Sequence, residues 1–434
     1  MFVGRKHELK SLNERYKEKG FQNIVIYGRR RVGKTTLVQE FLNDKKGTYF
    51  LSQKTTDQPQ KLVNKFCKEN NIYPENVKDF QEAFEFISKN VKNKYIIAID
   101  EFPYLIEQDK TIPSQFQYII DEILKKTNIY LILLGSSVSV MENEVLAHKS
   151  PLYGRRTGQI HVKSLELKDL ADFFKTKNME ELIDIYSVFD SIPSYIQKIN
   201  PKLNIYQNIE KEILEKESFL YEEVNFLLNE ELREPHRYKE ILKSISKGKT
   251  RLSEISQETG IDKTVLTKYM KTLETLEIIK KEYPVQEKEL KRNSIYAFKD
   301  NFFKFYFTFI YSNLDLLETR KKKIVLKEIK KNLAQYQGKV FEEVCIDHVR
   351  RNHNYKKVGR YWKKGTEVDL IALNEETLIG ECKYQDNVRE EKIIEELKHK
   401  ELPFKNKQYK VFAKSFKDKN QGIDLKDIYK GFKQ

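Results

Sequence analysis

Residues 28–35, Gly28-Arg29-Arg30-Arg31-Val32-Gly33-Lys34-Thr35, constrain this chain more than any other stretch. They match G-x-x-x-x-G-K-[ST] at every fixed position. The apolar run Ile24-Val25-Ile26 precedes them, and Leu37, Val38, Phe41 and Leu42 follow at helical spacing. A buried strand, a glycine-bounded loop and a helix are therefore expected in that order. Backbone N–H groups of such a loop form an anion cradle, to which the helix adds its positive end. Gly28 and Gly33 permit close approach and positive φ. Lys34 is placed to neutralise the outer phosphates of a nucleoside triphosphate, and Thr35 to put its hydroxyl on Mg2+. Val32 and Thr36 complete the cradle. Arg29, Arg30 and Arg31 face either phosphate or a neighbouring surface, and the sequence leaves both open.

The rest of the N-terminal part fits a nucleotide module. Phe2-Val3-Gly4-Arg5 turns into a helix carrying Leu9, Leu12 and Tyr16. Thr48–Leu51 reads as a second strand, and Gln58–Glu69 and Lys78–Asn90 as helices. Tyr95-Ile96-Ile97-Ala98-Ile99 is a continuous apolar strand of the kind buried in parallel sheets, and it ends in Asp100-Glu101. Acids at a strand's carboxyl end sit where open α/β sheets bind ligands. Asp100 is expected to hold Mg2+, and Glu101 to polarise the attacking water as a general base. A further strand, Ile129–Leu134, ends in Gly135-Ser136-Ser137. Ser136 is either a γ-phosphate sensor or a helix cap. Arg155 and Arg156, in the loop Pro151–Gly158, are candidates to stabilise charge in phosphoryl transfer. Solvated loop arginines are the alternative.

From residue 165 the pattern turns helical, with Phe173, Phe174, Leu182 and Ile185–Phe189 suited to a small lid. Glu210–Glu234 reads as a charged amphipathic helix. Tyr238–Ile245, Arg251–Ser256 and Lys263–Leu276 then give helix, helix, a turn at Thr259-Gly260-Ile261-Asp262, and helix, the helix-turn-helix order. Ile278–Tyr283 and Ser294–Phe298 suit the two strands of a wing. Lys263, Thr264, Thr267, Lys268 and Lys271 would lie on the exposed face of the third helix, either as a DNA-reading face or as a solvated one. Asn301–Tyr311, rich in Phe and Tyr, reads as a core helix. Arg320–Lys331 reads as a lysine-rich connection, and Gly338–Val344 as a helix start.

A second group of functional candidates lies near the carboxyl terminus. Glu367–Leu373 and Thr377–Tyr384 alternate as two strands around the turn Asn374-Glu375-Glu376. A hairpin closing symmetrically pairs residue 373 with 377. Asp369 then opposes Glu381 and Glu367 opposes Lys383, all on one face. Opposed carboxylates repel. A divalent cation offsets that repulsion, and oxygen ligands suit Mg2+ or Mn2+. Lys383 beside a metal could orient water or stabilise phosphorane-like charge. Glu342, on the preceding helix, could complete the ligand shell. A charged edge hairpin that resists aggregation is the alternative.

Charge bears on the partner. The 434 residues hold 80 Lys+Arg against 65 Asp+Glu, a formal charge of +15. That suits a nucleic-acid or other polyanion partner, with solvation or a lysine-rich genome bias as the alternative. The three cysteines, Cys67, Cys345 and Cys382, have no disulfide or zinc spacing. The apolar runs are too short to span a bilayer, so a cytoplasmic protein without membrane contact is expected.

The opening F-x-G-R-x-x-E-L before the phosphate loop resembles AAA+ and related signalling ATPases, in which it packs beside the adenine. The D-x(n)-E-x-K layout of Asp369, Glu381 and Lys383 resembles the PD-(D/E)xK nuclease superfamily, although Glu-Val-Asp stands where Pro-Asp is commonest. As a whole the chain resembles archaeal-type P-loop ATPases that carry a winged helix and a C-terminal restriction-endonuclease-like domain. The resemblance implies an α/β multidomain protein. Its parts are a P-loop NTPase parallel-sheet core over 1–164, a helical lid over 165–234 and a winged helix over 235–300. Aromatic and basic connecting helices over 301–332 and a nuclease-like α/β domain over 333–434 follow. It implies ATP and Mg2+ as cofactors, and DNA as partner. An arginine offered to a neighbour's nucleotide would call for a homo-oligomer. Two functions follow: an ATP-dependent enzyme that cuts DNA, or an ATP-switched protein whose nuclease-like domain only grips it.

Overall fold

The computed structural model describes residues 2–286, 293–363 and 365–432. The chain divides into two compact units, Met1–Leu165 with Ile192–Ser194, and Glu166–Ser191 with Tyr195–Gln434.

The first unit is built on five parallel strands: β1 (Gln22–Tyr27), β2 (Gly47–Leu51), β3 (Tyr95–Asp100), β4 (Ile129–Gly135) and β5 (Gly158–His161). Their spatial order is β2-β3-β4-β1-β5. Every residue of β1, β3 and β4 is buried, as a sheet covered on both faces requires. Alternation sorts them. Ile24, Ile26, Ala98 and Ile132 meet Leu12, Leu37 and Phe41 on one face. Val25, Ile97, Ile99 and Leu131 meet Leu62, Phe66, Phe84 and Phe116 on the other. The expected strands and the helices Gln58–Asn70 and Phe80–Asn90 are present. The edge strand β5 lies where the sequence suggested only loop. It pairs with β1 from Ile24↔Gly158 to Tyr27↔His161.

The second unit holds three helices, Pro235–Ser246, Leu252–Thr259 and Lys263–Thr275. An antiparallel pair, β6 (Ile279–Glu282) and β7 (Ile295–Phe298), follows them. Asp262 caps the third helix through the Thr264 N–H at 2.8 Å. Val265 on that helix is 42% exposed, although its side chain is apolar. The continuous helix expected over Glu210–Glu234 is broken into Ile205–Glu212 and Glu223–Glu231. The Ser218 hydroxyl donates to the Glu212 carbonyl at 2.8 Å and satisfies a helix end there. The aromatic stretch is buried as expected, with Phe302, Phe303, Phe305, Tyr306 and Phe309 in the core.

One helix, Lys322–Asn352, runs unbroken for 31 residues. It contains Gly338, where a helix start was expected, and it crosses the boundary expected at 332/333. Buried Val325, Ile329, Leu333, Val340 and Val344 keep helical spacing along it, and that burial outweighs the roughly 1 kcal/mol a helical glycine costs. The helix packs on a mixed sheet of order β12-β10-β9-β8. Its strands are β8 (Lys357–Lys363), β9 (Thr366–Leu373), β10 (Thr377–Lys383) and β12 (Lys407–Ala413). A small pair, β11 (Val388–Arg389) and β13 (Phe416–Asp418), flanks it. β9 and β10 pair antiparallel with Thr377↔Leu373, the register expected from the turn, while β12 joins β10 in parallel. Among the described residues, no helix is long and apolar enough to cross a membrane.

Candidate nucleotide site and candidate acid site

The loop of residues 28–33 leaves the carboxyl end of β1 and enters the helix Lys34–Leu42. Gly28 has φ 148°, and a Cβ there would lie 2.1 Å from the Val162 carbonyl oxygen. Only glycine fits. Gly33 has φ 94° at the helix start. Arg31 also takes a left-handed φ of 71°, so three of six loop residues turn the backbone as an anion cradle needs. Lys34 is buried, with Nζ donating to the carbonyls of Gly28 at 2.7 Å and Arg29 at 2.9 Å. Its ammonium is thus held inside the loop. Arg29 and Val32 are buried, while Thr36 is exposed. Arg30 donates to the Tyr104 hydroxyl at 3.3 Å. Arg5 donates to the Val32 carbonyl at 2.9 Å and ties the N-terminal turn to the loop.

The strand carrying the acids is not beside β1, because β4 lies between them. Their side chains span that distance at the sheet's carboxyl end. Thr35 donates to Asp100 Oδ2 at 2.7 Å, and the Tyr49 hydroxyl donates to the same oxygen. Burial and this carboxylate push the Tyr49 phenol well above its usual pKa. Asp100 Oδ1 accepts from the Glu101 N–H at 2.8 Å. Glu101 itself has φ 52°, a strained conformation for a non-glycine residue and one that clusters at functional sites. The Ser136 hydroxyl, at the end of β4, donates to the Glu101 carboxylate, with Oγ 2.7 and 2.6 Å from its two oxygens. The structure therefore brings together Lys34, Thr35, Asp100, Glu101 and Ser136. Thr35 and Asp100 offer hard oxygen donors that fit Mg2+.

Arg155 and Arg156 lie elsewhere. They precede β5, whose first residue pairs with Ile24, so they stand toward the amino end of β1, opposite the phosphate loop. Arg155 forms a two-point contact with Asp121 at 2.9 Å. Arg156 donates to the Leu146 carbonyl at 3.4 Å and lies over the Tyr153 ring.

In the second unit, Asp369 Oδ2 accepts from the Cys382 N–H at 3.0 Å, which sets it across from the Glu381–Lys383 end of β10. Burial, then the Glu381 charge, push the Asp369 carboxyl up. Glu342 on the long helix is 7% exposed; burial, then the Asp369 charge, raise it too. Lys383 donates to Glu381 Oε1 at 2.8 Å, and Lys400 reaches Oε2 at 3.3 Å. Burial pulls the Lys383 ammonium down, but Glu381 outweighs it and the net direction is up. Lys339 holds Glu342 at 2.8 Å. Arg360 on β8 stands 3.6 Å from Glu342 and 3.7 Å from Glu282 of β6. Glu367, expected on the same face, is exposed. Among the described residues, no three His, Cys, Asp or Glu side chains are grouped to hold a metal ion.

A family described as an ATPase domain predominantly from Archaea matches residues 2–199. A family of archaeal and bacterial proteins of unknown function matches residues 306–394. An uncharacterized protein of Methanocaldococcus jannaschii is 38% identical over 449 residues, covering 99% of this chain and 100% of its own length. The chain belongs to that protein's family, and its N-terminal part is an archaeal-type P-loop ATPase domain. An uncharacterized ATP-binding protein of the same organism is 52% identical over 46 residues, 11% of this chain and 78% of its own. A Walker-type ATPase of Pyrococcus abyssi shares the fold, with a TM-score of 0.52 and 21% identity over 70% of this chain and 96% of its own.

The residues Ile192–Ser194, which the sequence places inside the lid of 165–234, group with the first unit. Pro193 stands over Gly33, 3.7 Å from where a Cβ would be, and Ser194 donates to the Arg31 carbonyl at 3.4 Å. Nothing local marks these residues as neighbours of the phosphate loop. Lys400 and Arg360 were missed for the same reason, since neither belongs to a motif.

Proposed function

We propose that the chain binds ATP with Mg2+ and hydrolyses it at the phosphate loop. One observation carries this reading: Lys34, the Thr35–Asp100 pair and the Ser136–Glu101 pair converge at the carboxyl end of the core sheet. The loop N–H groups and Lys34 bind and neutralise the outer phosphates. Thr35 and Asp100 would hold Mg2+, which supplies positive charge beside those phosphates. Ser136 aims the Glu101 carboxylate, which takes the proton of the attacking water. Arg155 or Arg156, being distant from the phosphate loop of its own chain, would act at the nucleotide of a second copy. Equilibrium binding of ATP, with phosphate release followed in wild type and Lys34→Ala, tests the reading. Equal affinity in both would end it.

We further propose that ATP turnover is coupled to DNA. The finer divisions of the chain would then be the core 1–164, lid 165–234, winged helix 235–300, connection 301–332 and nuclease-like domain 333–434. The three helices and the β6–β7 pair have winged-helix order, with Lys263, Thr264, Thr267, Lys268 and Lys271 exposed on the third helix. The helix, three antiparallel strands and parallel fourth strand carry Glu342, Asp369, Glu381 and Lys383 in PD-(D/E)xK layout. In this reading Asp369 and Glu381 bind Mg2+ or Mn2+ and Lys383 stabilises charge on the scissile phosphate. A second reading, in which this domain grips DNA without cutting, is favoured by one observation. Glu381 is already neutralised by Lys383 and Lys400. Incubation with plasmid and linear DNA, with and without ATP and Mg2+, separates the two. Nicking lost in Lys383→Ala supports the enzyme, and binding without nicking supports the grip.

A further inference from the structure

The amino end of the core sheet holds a cleft unrelated to the phosphate loop. Its volume is about 570 Å³, and Lys17, Lys45, Lys46 and Lys94 line it together with Tyr16 and Asp44. Lys46 immediately precedes β2 and Lys94 immediately precedes β3, while Lys17 ends the helix Lys6–Lys17. The cleft therefore opens on the sheet end opposite the phosphate loop, which follows the carboxyl end of β1.

Its charge is only partly offset by the chain: Lys94 donates to the Glu18 carbonyl and feels the Glu18 charge. Asp44 pairs with Lys45. Among the described residues, Lys17, Lys46 and Lys94 have no carboxylate partner within 4 Å. The ammonium of Lys94 lies 5.5 Å and that of Lys45 5.7 Å from the Tyr16 ring centroid, so one ring holds both charges toward the same space. Burial of Lys94 disfavours its charged form. Four lysines lining one cleft repel each other, and Asp44 with the Glu18 charge on Lys94 offsets that only in part. With 65 acidic residues in the chain, pairing is the ordinary solution, and here an ion pair is made by Lys45 and not by Lys17, Lys46 or Lys94. An anion entering the cleft would relieve the repulsion, and a run of phosphates offers an acceptor to each of the lysines that line it.

We propose that this cleft is a second phosphate-binding site, one that takes a run of phosphates. Two sources share that chemistry: the backbone of a nucleic-acid strand, and a free polyphosphate. The nucleic-acid source rests on the DNA-binding reading above; the free polyphosphate does not.

The test uses the full chain with the phosphate loop saturated by a non-hydrolysable ATP analogue. Binding of inorganic tripolyphosphate is measured by calorimetry, and binding of a fluorescent 20-mer DNA by anisotropy over a salt series. Wild type is compared with K17Q/K46Q/K94Q, and with K263Q/K268Q/K271Q as a control on the third helix. ATP turnover and the unfolding midpoint should match wild type in the cleft variant. The expected result is loss of tripolyphosphate binding at least tenfold, and a slope of log affinity against log salt flatter by about 2 to 3. Loss of tripolyphosphate with an unchanged DNA slope would assign the cleft to a free polyphosphate. If wild type binds no DNA, the DNA reading fails and the tripolyphosphate arm alone decides the cleft. The double variant K17Q/K46Q, confined to exposed side chains, repeats the test without disturbing the contact of Lys94 with Tyr16. Both ligands binding each cleft variant as they bind wild type would overturn the proposal.

Discussion

Lys34 and Lys383 are both placed to act on phosphate, yet their surroundings differ in kind. Lys34 Nζ lies 2.7 Å from the Gly28 carbonyl, and Lys383 Nζ lies 2.8 Å from a Glu381 carboxylate oxygen. A carbonyl is a neutral acceptor, so an arriving phosphate outcompetes it easily. A carboxylate is a full charge, and a phosphate or metal must break an ion pair to take its place. The same contrast runs through the two units. In the first, the sheet interior is apolar and the charges stand at its ends. In the second, half-buried charges link the elements: Lys280 bridges Glu282 and Glu343, and Arg360 stands between Glu282 and Glu342. Half-buried pairs of this kind add little net stability, since desolvation and solvent screening offset their attraction. They do join β6 to the helix that carries Glu342. At the first site Lys34 is thus held by loop carbonyls, while at the second Glu381 is already matched by Lys383 and Lys400 and Asp369 stays raised beside it.

The largest effects should fall on the first site. Lys34→Ala is expected to weaken ATP binding at least 100-fold, read by calorimetry. Glu101→Gln should leave that affinity nearly unchanged and lower phosphate release by about 10² to 10³, because it keeps the shape and removes the base. Ser136→Ala tests the aim of Glu101 separately. It should lower turnover less than Glu101→Gln does, with unchanged ATP affinity. If Glu101→Gln turns over ATP as wild type does, the base is another group.

At the matched site the outcome is sharper in sign than in size. Asp369→Asn should abolish any binding of Mn2+ at this hairpin and any nicking of plasmid. Lys383→Ala should stop nicking but keep Mn2+ binding, because lysine is not a ligand. Removing Lys400 unpairs one oxygen of Glu381, so Lys400→Gln should tighten Mn2+ several-fold in calorimetry. Wild type that binds no divalent ion here, with Lys400→Gln equally inert, would leave the domain as a DNA grip.

A smaller effect concerns Arg155 and Arg156. If one of them acts at a second copy's nucleotide, turnover per chain should rise with protein concentration, and the double alanine variant should remove that rise. A turnover rate independent of concentration in a protein that sedimentation shows to be monomeric throughout would count against it.

The contrast also explains what could be read without coordinates. The phosphate loop, Asp100–Glu101 and the 373↔377 register are local: each needs only neighbouring residues and an alternation of period two or 3.6. The strand β5 was missed because it is short, begins with glycine and has no fully buried residue. The unbroken helix Lys322–Asn352 was missed because Gly338 stands in its middle, although Val325, Ile329, Leu333, Val340 and Val344 signal continuity on both sides of it. Lys400 is invisible in sequence for a different reason. It reaches Glu381 from 19 residues away, and its only mark is where the fold puts it.

The smallest effect concerns an acid of the second unit. Asp184, on the helix Met179–Phe189, accepts from Gln337 of the long helix at 2.7 Å. Burial pushes its carboxyl up to about 6; the Gln337 hydrogen bond opposes the shift, and the Glu180 charge adds to it. An unfolded aspartate titrates near ~3.9. Between about pH 4 and pH 6 the folded chain holds a proton that the unfolded chain has lost. Stability from this group is thus full below pH 4 and falls as pH rises to 6, then stays level. Asp184→Asn keeps an oxygen for Gln337 and removes the titration. The unfolding midpoint of wild type relative to this variant should therefore drop by a few degrees between pH 4.5 and pH 6.5. Above pH 6.5 the variant should be at least as stable as wild type. A constant difference across that range would mean that Asp184 titrates as an ordinary surface acid, untouched by its burial beside the long helix.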